Sequence, residues 1–241
     1  PPMPLPESFI HHLRESGYHP RSDKHSNALA VAIVQDLVER CEPIRREALA
    51  GRLVYDLNMD LRFGTSTWNV DLVLGTPAGD IHAQGAIPRA TPASVRVAIE
   101  IKSVMTEHRK AVKNRKRDFE AHHEHVHNYN RRAIAGGVLV VNGAERFRSP
   151  LRPEVTVHGS GATVTRLVEH CLTEMRNVSE RGAGQHGMDA KAALVVVLDN
   201  VDLQAARYWS APPAPQPGDP LHYDSFIQRV CEEYAERFGK L

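Results

Sequence analysis

Apolar residues recur along this chain in three different rhythms. Leu29, Ala30, Ile33, Val34, Leu37 and Val38 fall on one helical face behind Ser26, a residue suited to capping, which predicts a helix from there to about Cys41. Pro43 suits the first turn of a second short helix, and Gly51 suits its end. From Arg52 to Phe63 the chain reads as extended, and Gly64-Thr-Ser-Thr67 predicts a turn into the strand Trp68-Asn-Val-Asp-Leu-Val-Leu74, giving a hairpin. A helix over 43–59 fits the apolar positions almost as well. Gly75 to Pro92, rich in Gly, Pro and Ala, reads as a loop long enough to suggest function or mobility. The run Val95-Arg-Val-Ala-Ile-Glu-Ile-Lys102 predicts another strand, and residues 106–133 carry a helix that is polar nearly throughout. Gly136 to Asn142 and Ala192 to Leu198 are continuous apolar strands, separated by an irregular connection over 143–161 and a helix over 163–178.

Continuous apolar strands that follow helices are those of a sheet covered on both sides. The expected fold is therefore α/β, a central mixed β-sheet flanked by helices on both faces. The expected organisation is an N-terminal arm over 1–25 with a short helical piece, an α/β domain over 26–209, an extended Pro-rich linker over 210–220 and an amphipathic C-terminal helix within 221–241. No internal repeat is visible.

At 241 residues the chain can bury a full core, and a net charge of +1 excludes a global polycation. The cysteines Cys41, Cys171 and Cys231 are far apart, odd in number and in no C-x-x-C arrangement. That pattern argues against a disulfide framework or a cysteine zinc site, and for a reducing cytoplasm. No apolar run reaches transmembrane length and the start Pro-Pro-Met-Pro-Leu-Pro carries no signal-peptide pattern, so the expectation is a soluble cytoplasmic protein without membrane contact.

The chemistry concentrates in Glu100-Ile101-Lys102. A carboxylate and an ammonium two positions apart on a strand point to the same side of a sheet, where burying either is costly unless it is satisfied. Metal-dependent phosphodiester cleavage uses such a pair: the carboxylate holds a divalent cation, and the lysine steers water or offsets charge developing on phosphate. Asp71, inside the apolar run of the preceding strand, can converge with Glu100 on one hard cation. Against this stands the plainer reading of a charged strand face or a buried ion pair.

Asp71 followed by Glu100-Ile101-Lys102 on the next strand resembles the PD-(D/E)XK nuclease superfamily, the restriction-endonuclease-like proteins, and the resemblance covers roughly residues 26–200. It implies catalytic roles for Asp71, Glu100 and Lys102, with Asp71, Glu100 and the carbonyl of Ile101 as ligands of Mg2+, for which Mn2+ substitutes. It further implies a type II restriction or related defence or repair endonuclease that cuts double-stranded DNA as a homodimer. Val70 stands where the signature has proline. Asp36, Glu39 and Glu47 are all candidates for the helix glutamate that many members carry ahead of the first strand.

Just past the motif, Arg109, Lys110, Lys113, Arg115, Lys116 and Arg117 make a basic segment suited to tracking a phosphate backbone. The plainer reading is a solvated helix face. His122, His123, His125 and His127 invite a zinc reading, but an exposed polar helix face is the simpler expectation. Three function classes stay open: a magnesium-dependent nuclease, a catalytically silent nucleic-acid-binding module on the same fold, and a histidine-based zinc hydrolase. DNA or RNA, and one cation or two, are choices the residues leave open.

Overall fold

The computed structural model describes residues 4–79, 81, 85–182, 184, 186–201 and 205–239. Three helices come first: α1 (Glu7–Ser16), α2 (Lys24–Arg40) and α3 (Glu42–Leu49). The hairpin β1 (Val54–Phe63) and β2 (Ser66–Thr76) follows, then β3 (Ser94–Val104), α4 (His108–Tyr129) and β4 (Ile134–Asn142). A small two-stranded ribbon, β5 (Arg146–Arg148) and β6 (Val155–Val157), occupies the connection expected to be irregular. The chain continues through α5 (Gly161–Arg176), β7 (Ala190–Val197), β8 (Arg207–Tyr208) and α6 (Tyr223–Phe238).

The six-stranded sheet runs β1-β2-β3-β4-β7-β8, and the expected fold class is what the structure has. Pairs β1–β2, β2–β3 and β7–β8 are antiparallel, while β3–β4 and β4–β7 are parallel. The parallel pairs are joined by α4 and α5, the crossovers that parallel strands require. Side chains alternate across the sheet, so each strand feeds two cores. Val97, Ile99 and Ile101 of β3 join the core built with α1, α2, α3 and α6. Ala98 and Val104 join the core built with α4 and α5. Glu100 and Lys102 share that second face, the one beneath α4.

A pair of glycines sets how closely the helices approach. Gly136 and Gly137 sit mid-sheet on β4, and Gly137 lies beside Glu100 in the parallel register. A Cβ on Gly136 would meet the Phe226 ring of α6 at 3.2 Å. One on Gly137 would meet Met188 Cε at 2.3 Å and the Phe119 ring of α4 at 2.9 Å. The two missing side chains let an aromatic ring close on each face. Met188 is flexible at its tip but the fully buried Phe119 ring is not, so Gly137→Ala is expected to cost about 1–3 kcal/mol by overpacking. Urea unfolding of the two proteins checks this.

Several expectations need correction. Cys41 and Cys231 form a disulfide with a sequence separation of 190, because the end of α2 and the middle of α6 pack side by side. Distance along the chain was a poor guide to distance in space, and the inference of a reducing compartment loses its support. Cys171 is free and buried. The short helical piece expected in the N-terminal arm is α1, and its Phe9, Ile10 and Leu13 are core residues. The Pro-rich stretch 210–220 is not extended but folds as successive turns, with Ala214 N–H donating to Ala211 C=O and Asp219 N–H to Gln216 C=O. It ends where Ala193 N–H of β7 donates to Leu221 C=O, so α6 is an integral layer of the same core. Residues 80 and 82–84 of the long loop lie outside the described residues. No helix among the described residues is long and apolar enough to cross a membrane.

Candidate active site

Asp71 and Glu100 stand opposite one another where the β2–β3 ladder stops. The last paired residues are Leu72 and Ile99; one step further, the Asp71 carboxylate replaces the ladder by accepting the Ile101 N–H through Oδ2 at 2.7 Å. On its other side Asp71 stands opposite Asn58 of β1, one of two non-glycine residues at positive φ among those described (54°). Asparagine tolerates that left-handed geometry better than most residues. Its turned side chain donates to Asp23 Oδ2 at 3.2 Å and to Asn27 Oδ1 at 3.0 Å. The Asp23 side chain, at the start of α2, is thereby tied to the strand that flanks Asp71, close enough for its charge to act on that carboxyl.

Glu100 is 1% exposed and ion-pairs with Lys102 through Oε1. Its Oε2 is buried without a hydrogen-bond partner. Facing it at 3.6 Å is Nδ1 of His122, fully buried on α4 and equally without a partner. His122 Nε2 lies 3.2 Å from the Ala98 carbonyl oxygen, which fixes the ring hydrogen on Nε2 and leaves a lone pair on Nδ1. Two buried acceptor atoms therefore confront each other, an arrangement that a proton or a cation between them would satisfy.

The electrostatics are those of crowded acids. Burial, then the neighbouring negative charge of Asp71, raises the Glu100 carboxyl to about 8, against the opposing pull of Lys102. Burial also raises Asp71, opposed by Lys102 and by the Ile101 N–H. Burial works to lower Lys102, but Glu100 and Asp71 more than compensate, and the ammonium ends above its ordinary value. Lys102 is thus held as a cation, suited to stabilising negative charge and unsuited to taking a proton. Burial presses His122 down to about 3, so its imidazole is neutral. The donors fit a hard divalent cation: two carboxylates from adjacent strands, one with an orphaned buried oxygen.

None of the three helix acids suggested by sequence joins this group. The Asp36 carboxylate accepts from the Tyr223 hydroxyl at 2.6 Å, and Glu47 pairs with Arg52 at 2.7 Å and with Arg96 at 3.6 Å. Glu39 is exposed at the far end of α2, about 24 Å along the helix from Asp23 at 1.5 Å rise per residue. The acid that α2 does bring is Asp23, and α4 adds Asp118, whose charge reaches both Glu100 and Lys102. The histidine run is not an exposed face either: His122, His123 and His127 are 0%, 2% and 1% exposed. Position 122 faces the sheet because it lies one turn beyond Phe119 on the buried side of α4.

The basic segment divides. Arg109, Lys110, Lys113 and Arg117 are exposed. Arg115 instead pairs with Asp118 at 2.9 Å and donates to the Ser103 carbonyl at 3.3 Å, while Lys116 pairs with Glu174 at 3.5 Å. Arg115, Lys110, Asn114, Ser103 and Tyr18 line a cleft of about 320 Å³ whose wall includes none of Asp71, Glu100 and Lys102. Trp68 stacks on His125 at 5.1 Å, in keeping with a packing role. Compared with protein-family models, with curated proteins and with solved structures, this chain finds no match in any of the three.

Proposed function

We propose that this protein is a magnesium-dependent endonuclease that hydrolyses DNA phosphodiester bonds, in the manner of type II restriction or related defence and repair nucleases. The observation that carries the proposal is the pair of carboxylates, Asp71 and Glu100, on one face of adjacent strands with Glu100 Oε2 buried and unpartnered. Asp71, Glu100 and the Ile101 carbonyl are the groups that would hold Mg2+ or Mn2+, which supplies a Lewis acid for the phosphoryl oxygen and an acidified water. Lys102, held cationic, offsets the negative charge that gathers on phosphorus as water attacks. Arg109, Lys110 and Lys113 are exposed and would follow the phosphate backbone, with Arg117, which donates to Asn114 Oδ1 at 3.1 Å, on the same helix. Cutting both strands of a duplex calls for two such sites, so the working form in this reading is a homodimer.

The closed Lys102–Glu100 ion pair favours a second reading, a catalytically silent module that binds nucleic acid through the same basic surface. Plasmid and phage DNA incubated with the purified chain in magnesium or in chelator separate the two. The expected result is cleavage only with magnesium, discrete if the enzyme reads a sequence and smeared if it does not. Salt-dependent binding without cleavage of any DNA or RNA would replace the nuclease with the silent module.

A further inference from the structure

On the same helix, but away from Glu100, the structure gathers three histidines that the proposed nuclease chemistry does not use. One imidazole nitrogen from each of His123, His127 and His186 lies within 4.8 Å of one from each of the others. His123 and His127 are one turn apart on α4 and buried, whereas His186 is exposed on the loop between α5 and β7. The ends of that loop are pinned together, Arg181 N–H donating to Met188 C=O at 3.0 Å and Met188 N–H to Ser179 C=O at 2.7 Å.

Both buried rings are oriented in the same way. His123 Nε2 bonds the Glu120 carboxylate at 2.8 Å, and His127 Nε2 bonds the Asp189 carboxylate at 3.2 Å. A carboxylate on one ring nitrogen keeps the hydrogen there and presents the other nitrogen as a lone pair, the outer-shell arrangement that accompanies metal-binding histidines. For His127 that second nitrogen, Nδ1, is buried with no hydrogen-bond partner. For His123 it accepts only the Gly187 N–H of the same loop, at 3.1 Å. An Arg181 N–H also points at His127 Nε2 at 3.1 Å and competes with Asp189 for that nitrogen. A cation on Nδ1 would settle the competition by keeping the ring hydrogen on Nε2, toward Asp189, with Arg181 left to pair with Asp189 at 3.6 Å.

We propose that His123, His127 and His186 bind one zinc ion, with His123 and His127 ligating through Nδ1. Neutral imidazoles suit zinc, and three histidines leave a fourth tetrahedral position for water on the side that His186 opens to solvent. Tetrahedral nitrogens about 2.0–2.1 Å from zinc lie about 3.4 Å apart, so the group closes modestly on binding, with His186 swinging in on its loop and displacing the Gly187 N–H. The ion joins that loop to α4. This site shares no ligand with Asp71 and Glu100, and the inference stands or falls independently of the nuclease reading.

The test is a cobalt titration of the full chain after chelator treatment, followed optically, with zinc as competitor. Wild type is expected to take up one equivalent per chain with the intense visible bands of a tetrahedral site, which zinc then erases. Glu120→Gln should weaken binding by about 10–100-fold, and His186→Ala by more. Glu100→Gln should leave it unchanged. His186 is exposed, so its variant is expected to fold even if changes at buried His123 do not. Equal affinity in wild type and His186→Ala, no uptake by wild type, or loss of the bands in Glu100→Gln would each overturn the proposal.

Discussion

Glu100→Gln should lower magnesium-dependent cleavage by about 10³-fold or more while leaving the protein folded and still bound to DNA. Glutamine keeps the shape and volume of the side chain but removes the charge that would hold the cation. Its amide can donate to His122 Nδ1, satisfying the atom now left without a partner. The stability change has a definite sign. Glu100 has a folded-state pKa near 8 against an ordinary 4.5, so the fold favours its protonated form. That contribution is complete below the ordinary value and is lost as pH rises from about 4.5 through about 8. Metal-free wild type should therefore weaken relative to Glu100→Gln across that window. Urea midpoints taken along the pH series, beside single-turnover cleavage, read both effects. Lys102→Ala should also lose activity, by about 10²–10³-fold, because the charge on the phosphate loses its counterpart. Unchanged cleavage in either variant would remove these residues from the chemistry.

The largest loss of stability is expected elsewhere, at Asp189→Ala. The Asp189 side chain is 1% exposed and accepts from the Ala135 N–H at 2.8 Å, from His127 and from Arg237, with Arg181 at 3.6 Å. Burial works to raise its carboxyl, but the bonds from His127, Arg237 and Ala135 prevail and hold it below the ordinary range. Alanine would strand a buried backbone N–H and leave two half-buried guanidinium groups without their main counter-charge. A cost of about 3–5 kcal/mol is expected, as when one partner is removed from a buried ion pair. The urea midpoint should fall by that amount at unchanged slope. Asp189→Asn keeps an acceptor for Ala135 and should lose less.

What the sequence made legible follows from periodicity. Leu29 to Val38, the paired strands about Gly64-Thr-Ser-Thr67, and Gly136 to Asn142 each carry one period over enough residues to define an element, and those elements formed. Asp71 and Glu100 were legible because a carboxylate interrupts an apolar run on two successive strands. Asp23 was not, because nothing local in Pro20-Arg-Ser-Asp-Lys-His-Ser26 reveals that Asn58, 35 residues later, turns its amide toward it. His122 was hidden for another reason: composition marks the histidine run as polar, whereas the fit of α4 over Gly137 decides which of its members are sealed from water. The pairing of Cys41 with Cys231 depends wholly on where α6 returns, which no spacing between cysteines encodes.

That last pairing has a topological consequence. The bond between Cys41 and Cys231 closes a covalent ring whose circumference takes in α3, the whole sheet, α4, α5 and the first half of α6. Among the described elements, α1, α2 and the last turns of α6 lie outside it, held by packing rather than by the ring. Both halves of the proposed catalytic group, Asp71 on one strand and Glu100 on the next, lie on the closed circuit. A single break in any loop of that circuit opens the ring without releasing a fragment, so every strand of the sheet stays attached to every other until the sulfur–sulfur bond is also cut.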